Sequence, residues 1–172
     1  MSKTVFLDRD GVINKQAAEH DYIKNWGEFE FLPKVSEAIG ILNKAGFQVI
    51  IVTNQRGVAR GMMTIKDVEE THRIMCAELE AFGAQIDGIY VCPHEKDECT
   101  CRKPGIGLFL KAEEDFAIDK STSWMIGDSN SDIEAGKNYG VKTIYIGKTS
   151  INADYTCKNL FDAVLTIGGK AV

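Results

Sequence analysis

The chain contains no apolar run approaching the roughly 18 residues that a membrane-crossing helix needs, so no span is expected. It also lacks an excess of basic residues. Twenty Lys and Arg stand against 25 Asp and Glu, a net charge of -5, which argues against a general binder of nucleic-acid backbones. Met1-Ser2-Lys3-Thr4 runs straight into the first apolar segment, with no room for an export signal, so the cytoplasm is the expected location. Five cysteines, an odd number, do not suggest a disulfide framework. No internal repeat, low-complexity tract or linker interrupts the chain. Its 172 residues, 44% of them hydrophobic, read as one domain over 1–172 with a sizeable core. Only Gly168 to Val172 look loose. No exposed apolar helix suggests an obligate oligomer, and a monomer is expected.

What is present is an alternation of apolar runs and helical patterns. Thr4 to Leu7, Gln48 to Val52, Ile86 to Val91, Trp124 to Ile126 and Lys142 to Ile146 read as buried strands, with Ala163 to Ile167 as a sixth at an edge. Between them, a helix from Pro33 stops before Gly46 and carries Val35, Ala38, Ile39 and Leu42 on one face. A second runs from Thr64, with Asp67 three residues on as a capping box, to about Phe82. Leu108 to Phe116 and Ser131 to Tyr139 supply two more. Strands separated by helices predict an α/β fold, a doubly wound parallel sheet with right-handed crossovers.

Chemistry-bearing residues gather where these strands end. Asp8 and Asp10 sit two apart after the first strand, before Gly11. Like charges so close need a cation or a shared proton, and a parallel sheet binds ligands beyond the carboxyl ends of its strands. Thr53, Asn54 and Gln55 end the second strand with groups able to donate to phosphate oxygens, although such residues also cap turns. The loop after the third strand ends Arg102-Lys103-Pro104. Pro104 biases Lys103 away from helix, so that its ammonium can turn back toward a phosphoryl group. After the fourth strand, Gly127-Asp128-Ser129-Asn130-Ser131-Asp132 is another acidic turn. An oxygen site with few carboxylates suits Mg²⁺. Asp128 is the expected direct ligand, while Asp132 either holds a metal-bound water or occupies the first turn of the next helix.

In this order the four segments resemble the motifs of the haloacid dehalogenase superfamily of phosphohydrolases, over roughly residues 4 to 147. The resemblance implies a Rossmann-like fold. It implies Asp8 as nucleophile, Asp10 as general acid and base, and Thr53 and Lys103 as the groups that bind and shield the phosphoryl group. It also implies Mg²⁺ held by Asp8, the backbone carbonyl of Asp10, and Asp128. The expected partner is a small phosphorylated metabolite, with neither nucleic acid nor membrane.

Cys92, His94, Cys99 and Cys101 form C-x-H-x4-C-x-C in a highly charged segment. Three thiolates and an imidazole make a tetrahedral structural zinc set, which would pin the loop and with it Arg102 and Lys103. Cys76 and Cys157 are expected to pack in the core. The zinc loop resembles that of the branch containing heptose-bisphosphate and histidinol-phosphate phosphatases, which implies the absence of a large cap. Neither the stretch from Gly11 to Thr53 nor that from Gln55 to Lys103 is long enough for one. Thr53 to Gly61 resembles the heptose version, whereas the four-residue gap between His94 and Cys99 is of the histidinol-phosphatase kind. Ser129 stands where the heptose enzymes often carry lysine. Asn54, Arg60 and Arg102, and more weakly Asn14 and Gln55, are candidates for contacting the substrate's hydroxyls or a second phosphate; Arg60 also reads as a plain surface charge.

Overall fold

The computed structural model describes residues 1–149 and 152–169; of the expected loose terminus, residues 170–172 lie outside the described residues. Six strands form one sheet: β1 (Thr4–Leu7), β2 (Gln48–Asn54), β3 (Gly88–Cys92), β4 (Trp124–Gly127), β5 (Lys142–Ile146) and β6 (Tyr155–Cys157). All neighbours are parallel and the order is β3-β2-β1-β4-β5-β6. The helices are α1 (Val35–Lys44), α2 (Ile65–Ala81), α3 (Gly107–Asp115), α4 (Asn130–Tyr139) and α5 (Leu160–Gly168).

Both faces of the central strands are buried, which is why those strands read as continuous apolar runs. Val5 and Leu7 of β1, Val49 and Ile51 of β2, and Trp124 and Ile126 of β4 face a core closed by α1, α5 and the Met75–Leu79 stretch of α2. The alternate residues Phe6, Ile50, Val52 and Met125 face a second core under α3 and α4. There Phe6, Phe109 and Tyr139 pack ring against ring, with centroids 4.7 to 5.6 Å apart.

The capping box predicted at Thr64 and Asp67 is present, and Gly46 follows α1 with φ of +77°. One expectation fails. Ala163 to Ile167 lies within α5, and the sixth strand is Tyr155–Cys157. Leu160, Ala163, Val164 and Ile167 are all buried, and this i, i+3, i+4, i+7 spacing is a helical face. Asn159 caps that helix by accepting from the amide of Asp162. Cys76 and Cys157 both pack, partly buried, against the first core, as expected.

The chain builds β1, steps outward to β2 and β3, then returns to place β4 on the other side of β1. That reversal opens a crevice beyond the carboxyl ends of β1 and β4, where an open parallel sheet binds ligands. The Asp8 amide donates to the Ile126 carbonyl at 3.0 Å, which fixes the two strand ends side by side.

Candidate active site

Asp8 leaves β1 and Asp128 leaves β4, and both line a cavity of about 340 Å³ together with Asp10, Asn54, Lys103 and Asp132. Two glycines make the close approach possible. Gly11 has φ of +86°, and a Cβ there would overlap the Asp128 carboxylate. A Cβ at Gly127 would overlap Asp132.

Lys103 is the hub. Its side chain is 1% exposed, and its ammonium donates to Asp8 Oδ1 at 2.8 Å, Asp132 Oδ1 at 2.7 Å and the Val52 carbonyl at 2.6 Å. Asn54 clasps its main chain, accepting from the Lys103 amide at 3.1 Å and donating to its carbonyl at 3.2 Å. Burial opposes the charge on Lys103, but Asp132 and Asp8 outweigh burial and hold its pKa above the ordinary value.

Asp132 does two jobs. Its Oδ2 accepts from the amide and hydroxyl of Ser129, closing a capping box at the start of α4, while Oδ1 holds Lys103. Ser129 is therefore the helix cap. The first-turn placement of Asp132 is realised, and its grip on Lys103 is an addition the sequence did not disclose.

The carboxylates of Asp8, Asp128 and Asp132 have oxygens within 4.8 Å of one another. Three such groups against one ammonium leave excess negative charge in a desolvated place. Burial, and then Asp132, push Asp8 up to about 8 and Asp128 up to about 7. A hard divalent cation relieves that excess, so the donor set fits Mg²⁺. Gln16, unremarked in the sequence, donates to Asp128 Oδ2.

Asp10 is held by another set of residues. Arg9 donates to Oδ1 at 2.9 Å and Oδ2 at 3.2 Å, Asn14 to Oδ1 at 2.8 Å, and Gln55 to Oδ2 at 2.9 Å. Asn14 and Gln55 are thus buried and committed to Asp10. Thr53 is also fully buried, its hydroxyl accepting from Gln55 at 3.0 Å. Arg9 carried no signal in the sequence: a charge between two aspartates reads as solvated, yet this side chain is 0% exposed.

The two arginines proposed for substrate contact lie outside this cavity. Arg60 pairs with Glu95 at 2.9 Å, as does Arg56 at 3.0 Å, and Arg56 also donates to the Tyr22 hydroxyl. Arg102 lines an adjoining cavity of about 480 Å³ with Lys96, Lys103 and Ser131, and its buried Nη1 has no partner among the described residues.

The four zinc candidates converge. Cys92 Sγ lies 3.5 Å from Cys99 Sγ and 3.6 Å from His94 Nδ1; Cys101 Sγ lies 3.3 Å from each of those two atoms. All four donor atoms lie within 4.8 Å of one another, close enough for one zinc ion with Zn–S bonds near 2.3 Å to reach them all. The loop packs on its surroundings: a Cβ at Gly105 would strike the Thr100 carbonyl, and one at Gly107 would strike Cys101.

A switch-point crevice with aspartates after β1 and β4 and a buried lysine between them defines the class: a haloacid dehalogenase-type phosphohydrolase. Comparison with known proteins agrees. A family described as HAD-hydrolase-like matches residues 100–161. A D-glycero-beta-D-manno-heptose-1,7-bisphosphate 7-phosphatase of Rhodopseudomonas palustris is 43% identical over 79% of this chain and 78% of its own. A D-glycero-alpha-D-manno-heptose-1,7-bisphosphate 7-phosphatase of Mycobacterium bovis is 37% identical over 95% of this chain and 90% of its own. The crystal structure of a D,D-heptose 1,7-bisphosphate phosphatase from B. bronchiseptica, complexed with magnesium and phosphate, superimposes with a TM-score of 0.88 at 28% identity, covering 98% and 99% of the two chains. The chain belongs to the haloacid dehalogenase superfamily, in the family of the D-glycero-D-manno-heptose 1,7-bisphosphate 7-phosphatases, and is a phosphatase. Among the described residues no helix is long and apolar enough to cross a membrane.

Proposed function

We propose that this chain, acting as a single domain, removes the 7-phosphate of D-glycero-D-manno-heptose 1,7-bisphosphate through an aspartyl-phosphate on Asp8. The observation that carries the reading is the buried Lys103 ammonium, gripped by Asp8 and Asp132 at the switch point. Lys103 occupies Asp8 Oδ1, which leaves Oδ2 as the attacking oxygen.

In the first displacement, Asp8 Oδ2 bonds to phosphorus, the ester P–O bond breaks, and the leaving oxygen takes a proton from Asp10. In the second, Asp10 takes a proton from water as the water oxygen bonds to phosphorus. The aspartyl P–O bond then breaks, regenerating Asp8 and releasing phosphate. Lys103 offsets charge on the transferring group throughout. Mg²⁺, held by Asp8, the Asp10 carbonyl and Asp128, supplies further charge neutralisation at the phosphoryl oxygens. Zn²⁺ on Cys92, His94, Cys99 and Cys101 pins the loop that leads directly into Arg102 and Lys103. Thr53 is the remaining phosphoryl-site residue of the resemblance.

The place of Arg102 in the lining of the adjoining cavity supports a contact with the second phosphate, which an arginine fork binds well. Asn54 lines the catalytic cavity and suits a hydroxyl. Arg60, bound to Glu95, supports the zinc loop. One observation favours histidinol phosphate instead: Glu19 and Asp21 line the cavity rim, and an acidic rim suits an amine better than a second phosphate.

Initial rates of phosphate release with Mg²⁺ test the choice, comparing both anomers of the heptose bisphosphate with histidinol phosphate. A heptose preference of about 100-fold, roughly 2.7 kcal/mol of differential transition-state binding, is expected. A preference for histidinol phosphate would make the acidic rim the specificity element.

A further inference from the structure

Arg9 is a fully buried cation whose donors must all be met, because an unmet buried donor costs stability. Nε and Nη2 reach Asp10, and Nη2 also reaches Gln55 Oε1 at 3.4 Å. The face of Phe29 lies 5.9 Å from its Cζ. Nη1 has a different partner, His72 Nε2 at 3.1 Å. His72 sits on α2, is 6% exposed, and does not line the catalytic cavity.

The chemistry of the pair leaves one arrangement. Arginine only donates, so His72 Nε2 must present its lone pair and the ring proton must sit on Nδ1. A protonated imidazole would place two cations 3.1 Å apart. Burial, and then Arg9, push the His72 pKa down to about 3, consistent with a permanently neutral acceptor.

We infer that His72 is a positioning residue for the phosphatase reaction: as a neutral acceptor on Arg9 Nη1, it fixes the guanidinium that orients the Asp10 carboxylate. The inference rests on the acid role given to Asp10. Without His72 the guanidinium loses its anchor on the side away from the cavity and turns to seek another acceptor. Asp10 turns with it, away from the leaving oxygen.

The leaving group supplies a readout that a purely structural role would not move. An alkyl ester needs protonation as its P–O bond breaks, whereas the p-nitrophenolate of p-nitrophenyl phosphate leaves unaided. In His72→Leu, kcat/KM for the heptose bisphosphate should fall about 10- to 100-fold, the scale of a misplaced catalytic group, while that for p-nitrophenyl phosphate stays within about threefold. His72→Gln, whose amide oxygen reaches as far as Nε2, should restore the sugar-phosphate rate to within about threefold of the parent. Asp10→Asn is the control; because it stalls at the intermediate, it is read as the single-turnover rate of leaving-group release, which should show the same dependence on leaving group. If it does and His72→Leu does not, the inference falls alone. If Asp10→Asn slows that first leaving-group release equally for both substrates, the acid role falls and takes the inference with it. The unmodified protein gives an independent test by ¹⁵N-histidine long-range correlation. His72 should show a bare Nε2 and a protonated Nδ1 at neutral pH; an Nε2–H tautomer or an imidazolium would overturn the inference.

Discussion

Replacing Lys103 by methionine keeps a four-atom unbranched stem and removes the charged end. The ammonium makes three contacts of 2.6 to 2.8 Å, to Asp8, Asp132 and the Val52 carbonyl, from a side chain only 1% exposed. Removing one partner of a buried ion pair ordinarily costs about 3–5 kcal/mol, because a charge is left uncompensated. Here part of that cost is avoided. Asp8 already stands at about 8, and among the described residues Lys103 is the cation that lowers it. At pH 7 and without Mg²⁺, Asp8 is therefore already largely protonated in the parent and becomes more so in the variant, so only part of the ion-pair cost applies and about 2 kcal/mol of destabilisation remains. Catalysis has no such escape, since the reaction needs Asp8 ionised, and the variant loses both a cation that favours the ionised form and the counter-charge on the phosphoryl group. A loss of about 3–4 kcal/mol of transition-state stabilisation, 10²- to 10³-fold in kcat, is expected. Initial rates with Mg²⁺ and urea unfolding of the same preparation measure the two effects separately. A variant within about tenfold of the parent rate would refute the placement of Lys103 at the reacting phosphoryl group.

Further outcomes follow from the same geometry. With Mg²⁺ withheld, stability should fall as pH rises from 6.5 to 8. Asp8 at about 8 and Asp128 at about 7 lie above their ordinary 3.8, so the stability tied to their protons is lost as pH climbs through those values. His72, depressed to about 3, acts in the opposite sense only below its ordinary 6.5, which leaves this window clean. The slope is at most about 1.4 kcal/mol per pH unit for each group, and Mg²⁺ should flatten it in thermal melts. Protein purified without chelator should carry about one zinc per chain, and Cys99→Ser should lose the metal and lower the melting temperature; metal analysis showing none in the parent would contradict the zinc assignment. Gly11→Ala should cost at least about 1–2 kcal/mol from its positive φ alone, and should weaken Mg²⁺ binding by displacing Asp128, readable by calorimetric titration.

The central strands and the catalytic cluster were legible in the sequence for a common physical reason. Strands buried on both faces must be continuous apolar runs, and a parallel sheet gathers the residues just beyond those runs. Asp8, Asn54 and Asp128 could thus be placed together without coordinates, and Cys92 to Cys101 announced themselves by residue type and spacing. Ala163 to Ile167 misled because a short apolar run with β-branched residues fits strand and helix alike. The evidence for helix lay outside the run, in Leu160 and in the Asn159 cap. The support of Asp10 was illegible for a different reason. Arg9 and His72 are 63 positions apart, and nothing local distinguishes a buried guanidinium from a solvated one. Asp132 was half legible, its capping role local and its grip on Lys103 a tertiary contact.

The claim that everything else depends on is that Asp8 forms a covalent bond to phosphorus. Asp10→Asn cannot activate water, so with p-nitrophenyl phosphate, whose leaving group needs no acid, the intermediate should accumulate. Acid quenching, borohydride reduction and peptide mass spectrometry should then find homoserine in place of aspartate at position 8, and nowhere else. Unmodified Asp8 after a full burst of nitrophenolate, or a modified residue at another position, would contradict the account.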